Sequence, residues 1–122
     1  MHFMFLTYLD EKAWLSLSKA EQQALMAGAM PHVKQLIANR QFLGGAPLQA
    51  TFTASTVRVR DGKPLVTDGP FAETREQVGG YTLIEAKDMD EAIRIAAGFL
   101  GTKSPSTIEI RPIVPFGNVP TH

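Results

Sequence analysis

The chain contains no cysteine, which removes disulfide bonds, thiolate metal centres and cysteine nucleophiles together. Histidine is scarce. His2, His32 and His122 are the full set, and none stands at the spacing of a metal-binding helix motif, so a histidine-based metal site would need ligands from distant segments. An excess of one charge is also missing, with twelve basic residues against twelve acidic ones. That balance argues against direct nucleic-acid binding or an electrostatic membrane surface; Arg58 and Arg60 form the only close arginine pair. No apolar run approaches the roughly 20 residues of a membrane-spanning helix. The opening MHFMFLTYLDEK lacks the basic start of a signal peptide and reads as a strand. Cytoplasmic residence and an absence of metal and cofactor are the resulting expectations.

What is present describes a small globular domain. The 122 residues are 44% hydrophobic and 20% charged, which fits one domain over 1–122 with a real core and a loose tail at 115–122. His2 to Tyr8 is rich in aromatic and branched residues and suits a buried strand. Asp10-Glu11-Lys12 is read as a polar break, followed by a loop carrying Trp14, the only tryptophan. Ser18 and Glu21 form a capping box. From it a helix is expected with Leu25, Met26, Ala29, Val33, Leu36 and Ile37 on one face. Pro31 removes a backbone donor and should kink this helix or start its second half.

Gly44-Gly45 and Pro47 read as the next loop, with a short extended segment over 48–54. Alternating β-formers around Asp61-Gly62 predict a hairpin over 56–67, because a type I′ turn needs positive φ at both central residues. After the Asp68-Gly69-Pro70-Phe71 turn, 74–77 reads as a short helical turn and Gly80 to Ala86 as a strand. Asp88 caps a second helix with Met89, Ala92, Ile93, Ala96, Phe99 and Leu100 on its face, ended by Gly101. Thr107 to Ile113 alternates as the last strand. The order β-α-β(hairpin)-β-α-β points to an α+β domain: a split βαβ sheet of the ferredoxin-like kind with an extra hairpin and both helices on one face. The other face is left bare, and stacking it on a second copy would give a homodimer.

The run Val66-Thr67-Asp68-Gly69-Pro70-Phe71-Ala72-Glu73-Thr74, followed by Gly79-Gly80-Tyr81, resembles the signature of the DGPF subgroup of YCII-related proteins. Thr56-Val57-Arg58, Ile108-Glu109-Ile110-Arg111-Pro112 and the segment from Tyr8 to Trp14 extend the resemblance over nearly the whole chain. It implies a ferredoxin-like subunit in a dimeric α+β barrel, agreeing with the pattern above. It also implies a breadth of roles. Some relatives occur beside or fused to extracytoplasmic-function sigma factors, and related barrels include cofactor-free monooxygenases, muconolactone isomerases and haem-degrading enzymes. Fold alone does not choose among these.

The residues able to carry chemistry are few. Asp68, leaving a strand beside a Gly-Pro turn, is placed either to act as general base or cation ligand, or to bond its own downstream backbone and fix the turn. His32, on the edge of the first helix stripe, can exchange protons near neutral pH if it faces the sheet. The wider family's resemblance implies a helix histidine paired with an aspartate, but that histidine falls near Gly28 or Ala29, so His32 stands about one helical turn late. Asp10 is its expected partner, or else a simple cap at the strand end. Tyr8 offers a phenol hydroxyl, Arg58 and Arg111 can clamp a carboxylate or pair with acids such as Glu73, Glu85 or Glu109, and Glu73 can instead cap the turn after Phe71. Phe71 is expected in the core in preference to stacking on a ligand. Haem would require an axial ligand that only His32 is placed to supply. The functional expectation is a small-molecule cleft between sheet and helices, acting without a cofactor through acid/base chemistry. The alternative is an accessory protein that binds a partner such as a sigma factor.

Overall fold

The computed structural model describes residues 1–101 and 104–115; most of the expected tail, with His122, lies outside them. Strand β1 (His2–Asp10) leads into a short helix α1 (Glu11–Leu15), then α2 (Lys19–Gly28) and α3 (Met30–Ala38). Next come β2 (Phe42–Pro47), a 3-10 turn at Thr51–Thr53, β3 (Ser55–Arg60), β4 (Lys63–Asp68) and β5 (Glu76–Glu85). Helix α4 (Met89–Leu100) and strand β6 (Thr107–Pro112) follow.

Four strands form one antiparallel sheet in the order β2-β5-β1-β6, and β3 pairs with β4 as a separate hairpin. Each helical crossover therefore joins strands with one other strand between them, the property of a split βαβ sheet. The chain is an α+β domain compatible with the ferredoxin-like arrangement. Alternation along the strands decides which face is covered. Phe3, Phe5 and Ile84 are fully buried and meet Leu36 of α3 and Ala92, Ile95 and Ala96 of α4. Phe5 also contacts Phe99 edge-on, with ring centroids 6.1 Å apart. Removing either buried phenylalanine ring from such a core costs about 3–5 kcal/mol.

The local signals explain most elements. Ser18 and Glu21 close the capping box reciprocally, and Asp88 accepts from the Glu91 amide to start α4. Asp61 and Gly62 adopt φ of 53° and 76°, the positive pair a two-residue hairpin turn needs. Pro31 starts the second half of the first helical segment: the helix breaks at Ala29, and Pro31 stands in the first turn of α3, where its missing donor costs nothing.

Several segments differ from the sequence reading. Gly44, Gly45 and Pro47 belong to β2, while 48–54 holds the 3-10 turn. Gly45 serves close approach, since a Cβ there would lie 2.6 Å from the Tyr81 carbonyl oxygen. The expected loop around Trp14 begins as α1, because Asp10 caps it through the Ala13 amide with Glu11 in its first turn. The expected helical turn at 74–77 is a bend entering β5, which starts at Glu76 opposite Asp10. Side-chain bonds from Gln77 to the carbonyls of Ala72 and Thr74 hold the chain there. On the helices, Leu36 is buried but Leu25, Met26 and Ile37 are exposed, and α4 turns Ile95 inward in place of Ile93.

Candidate functional site

At one end of the sheet, where β1 runs out into α1 and β4 into its turn, lies a groove of about 820 Å³. Its volume is within the range of about 300–1,000 Å³ usual for small-molecule sites. The wall carries four carboxylates, Asp10, Glu11, Asp68 and Glu73, against two cations, Lys12 and Arg75. The groove is thus net acidic by composition, and its apolar contribution comes mainly from Phe52 and Pro70.

The acids differ in what already occupies them. Asp10 caps α1, its Oδ1 accepting from the Ala13 amide at 3.2 Å, and its Oδ2 accepts from Arg75 Nε at 3.3 Å. The Ala13 amide and then the Arg75 guanidinium hold its carboxyl below the usual aspartate range. Glu11 is fully used as well: its two oxygens accept from the Thr51 amide at 2.9 Å and the Thr51 hydroxyl at 2.6 Å. That pair ties the 3-10 turn to α1 and shapes one wall of the groove.

Asp68 is different. Its neighbouring turn is fixed without it, by the Gly69 amide donating to Ala54 O at 2.7 Å and the Thr56 hydroxyl donating to Gly69 O at 2.8 Å. Gly69 supplies the positive φ of 99° that the bend requires. The Asp68 carboxylate makes no hydrogen bond or ion pair with any described residue, and neither does that of Glu73.

The remaining candidates lie elsewhere. The His32 imidazole sits between α3 and α4, with Nε2 2.9 Å from Ile95 O and its ring edge-on to Phe99 at 4.8 Å. The structure does not bring His32 together with Asp10, because each is bound to its own local partners. Tyr8 points from the uncovered sheet face and donates to Glu109 at 3.3 Å. Glu109 is also paired with Arg111, which with Tyr8 lowers its carboxyl from the usual range. Phe71 is not in the core: it is 74% exposed, and the Arg58 guanidinium lies 4.9 Å over its ring centroid. A turn held at Gly69 by the Ala54 carbonyl and the Thr56 hydroxyl has no need of a buried anchor. Among the described residues, no three of His, Asp and Glu are grouped to hold a metal ion.

Two elements of the groove were not anticipated. Arg75 fell in the segment read as a helical turn, and Glu11 in the polar break after β1. The only available signal for Glu11 was Asp10-Glu11 itself, a cap followed by an acid in the first turn.

A YCII-related domain model matches residues 1–117. The chain belongs to the YCII-related family. It is also 35% identical over 115 residues to an uncharacterised protein of Rhizobium meliloti, covering 93% of this chain and 92% of that one. Among the described residues, no helix is long and apolar enough to cross a membrane.

Proposed function

We propose that this YCII-related chain is a small-molecule-binding protein whose site is the acidic groove, with Asp68 as the group that meets the ligand. One observation carries the reading: the turn that Asp68 would be expected to stabilise is held by Ala54 and Thr56, leaving its carboxylate uncommitted in a groove with Asp10 and Glu73. A ligand bearing an amine or other cationic donor suits this wall. The same carboxylate can accept a proton from a bound molecule, which makes cofactor-free isomerisation, lyase or hydrolytic chemistry the reaction classes the groove supports. His32 has no part in this reading as a catalytic partner of Asp10; its role is structural.

The uncovered sheet face supports a homodimer in the manner of a dimeric α+β barrel. Met4 and Leu6 of β1 stand on it, half-buried, and Leu6 pairs in register with the exposed Tyr81, giving an apolar centre on that face. A native mass spectrum of the gently purified protein, before and after denaturation, tests both points. A dimer carrying an extra small mass is expected, with the mass lost from Asp68→Asn. A spectrum with no bound mass, and no stabilisation by a panel of biological amines, would remove the groove reading.

A second reading rests on the hairpin, where Val57, Val59 and Val66 are more than half exposed. It supports a protein partner such as an extracytoplasmic-function sigma factor. Co-purification with a co-expressed sigma factor, lost in the Val57→Lys, Val59→Lys double variant, is the result this reading requires.

A further inference from the structure

Four strands have a free edge: β2 and β6 flank the four-stranded sheet, and β3 and β4 pair only with each other. An open strand edge invites pairing with another chain, and proline blunts it by withholding a donor. Pro47 stands in β2, Pro64 in β4 and Pro112 in β6. Strand β3, from Ser55 to Arg60, contains none. Among the described strands, its edge is the one left without that guard.

The register decides which groups that edge offers. In a two-residue hairpin the pair flanking the turn exchanges both bonds, and here that pair is Arg60 and Lys63. Inward and outward groups then alternate, so Thr56 and Arg58 bond to β4 while Val57 and Val59 present N–H and C=O outward. No described residue bonds to those two amides. On β4 the outward position opposite Val59 is Pro64, which has no donor to offer. The hairpin has no buried residue, and an isolated pair of strands is marginal in water until a third strand joins it.

Side chains alternate with the same period. Val57 and Val59 share one face with Pro64 and Val66, and Arg58, Arg60 and Lys63 share the other. None of the three cations is in an ion pair with a described residue, and no carboxylate of the hairpin ladder stands on their face. A second copy of β3 on this edge would set its own cations beside these, and like charges across strands oppose pairing. A strand with acids at alternate positions meets Arg58 and Arg60 favourably instead. We propose that the β3 edge is a docking strand for an extended peptide segment, antiparallel to it, that alternates apolar and acidic residues. Backbone bonds to Val57 and Val59 attach the segment, and Arg58 and Arg60 select its sequence. This rests on the second reading above only in its premise that the hairpin meets a protein; it requires neither a sigma factor nor the acidic groove.

The probe is a capped heptapeptide of alternating valine and glutamate, titrated into the full 15N-labelled chain. Saturable binding is expected, with solvent exchange slowed at the Val57 and Val59 amides. The same peptide with lysine for glutamate should bind at least about tenfold more weakly. Val57→Pro withdraws one outward donor, as Pro64 does on β4, and should weaken the glutamate peptide by at least about tenfold. If that variant loses the hairpin, the exchange pattern of the wild type decides alone. Equal binding of the lysine peptide, or binding that leaves the Val57 and Val59 amides exchanging as before, would overturn the proposal. So would a Val57→Pro chain that sediments as a smaller species than wild type, which would assign the edge to a second copy. Failure here is separable from failure of the hairpin reading. A chain that ignores the peptide yet retains a co-expressed sigma factor would overturn the docking strand and leave that reading intact.

Discussion

The imidazole of His32 lies so close to the backbone of Gly98 that a Cβ there would come within 2.5 Å of Cε1 and 2.6 Å of Nε2. Alanine in place of glycine inside a helix ordinarily gains about 1 kcal/mol. Here the added methyl meets a ring already held by Ile95 O and Phe99, and overpacking of this kind costs about 1–3 kcal/mol. Gly98→Ala is therefore expected to lower stability, and His32→Ala in the same chain to restore it. A double-mutant cycle in denaturant would measure the coupling. Additive effects would show that the ring is free to move away.

Asp10 links the site to acid stability. Its carboxyl binds a proton more weakly in the folded chain than in the unfolded one, because the Ala13 amide and Arg75 favour the charged form. Such a group stabilises the fold above its unfolded titration range, and that contribution drains away as pH falls towards the folded value. Asp10→Asn keeps a capping oxygen but loses the ion pair. Its thermal midpoint should fall near neutral pH and approach that of wild type on acidification below the ordinary aspartate range. A gap that stayed constant with pH would mean that neither the Ala13 amide nor Arg75 favours the charged carboxylate.

The architecture was legible where one local rule had no competitor. Ser18-Glu21, Asp88, Gly101 and Asp61-Gly62 stand where capping and turn chemistry place them, and the aromatic and branched residues of His2 to Tyr8 identified the first strand. The failures share a cause. Gly44-Gly45-Pro47 has turn composition, and only the partner strand reveals that the missing Cβ at Gly45 serves contact with Tyr81. Asp68 and Asp10 were each open to a structural or a chemical role in sequence. In the structure Asp10 caps α1 through the Ala13 amide, whereas the turn after Asp68 is held by bonds to Ala54 and from Thr56. His32 could not be placed by its helical stripe, since the facing gap at Gly98 lies on another helix.

Glu11 should matter through Thr51. Two bonds from one carboxylate fix the 3-10 turn, and bonds to charged groups are worth about 1.5–3 kcal/mol each at most. Because the turn can open without unfolding the sheet, Glu11→Gln should cost little global stability. Limited proteolysis is expected to cut faster between 48 and 54 in the variant. Equal cleavage rates would assign the ordering of this segment to other contacts.

The hairpin provides a separable test of how Asp68 is held. Gly62 sits at φ 76° with open space around its Cα, so Gly62→Ala adds backbone strain of about 1–2 kcal/mol without a clash. The β3–β4 pair shares no ladder with the four-stranded sheet. Amides of 55–68 should therefore exchange faster with solvent while those of β1 and β5 are unchanged. A uniform loss of protection would show that hairpin and sheet open as one unit.

The uncovered face yields the clearest prediction about assembly. Leu6 pairs with Tyr81 on one side and Glu109 on the other, at the middle of the sheet and away from its helices. If two such faces stack, a charge at this position must be buried without a partner, which the association cannot absorb. Sedimentation velocity should find wild type as a dimer and Leu6→Glu as a monomer, with the same far-ultraviolet circular dichroism. The Glu109–Arg111 pair at the rim is expected to matter less, since an exposed ion pair adds little to association. A monomeric wild type at micromolar concentration would sink the dimer reading, and the apolar centre around Leu6 and Tyr81 would then need another cover.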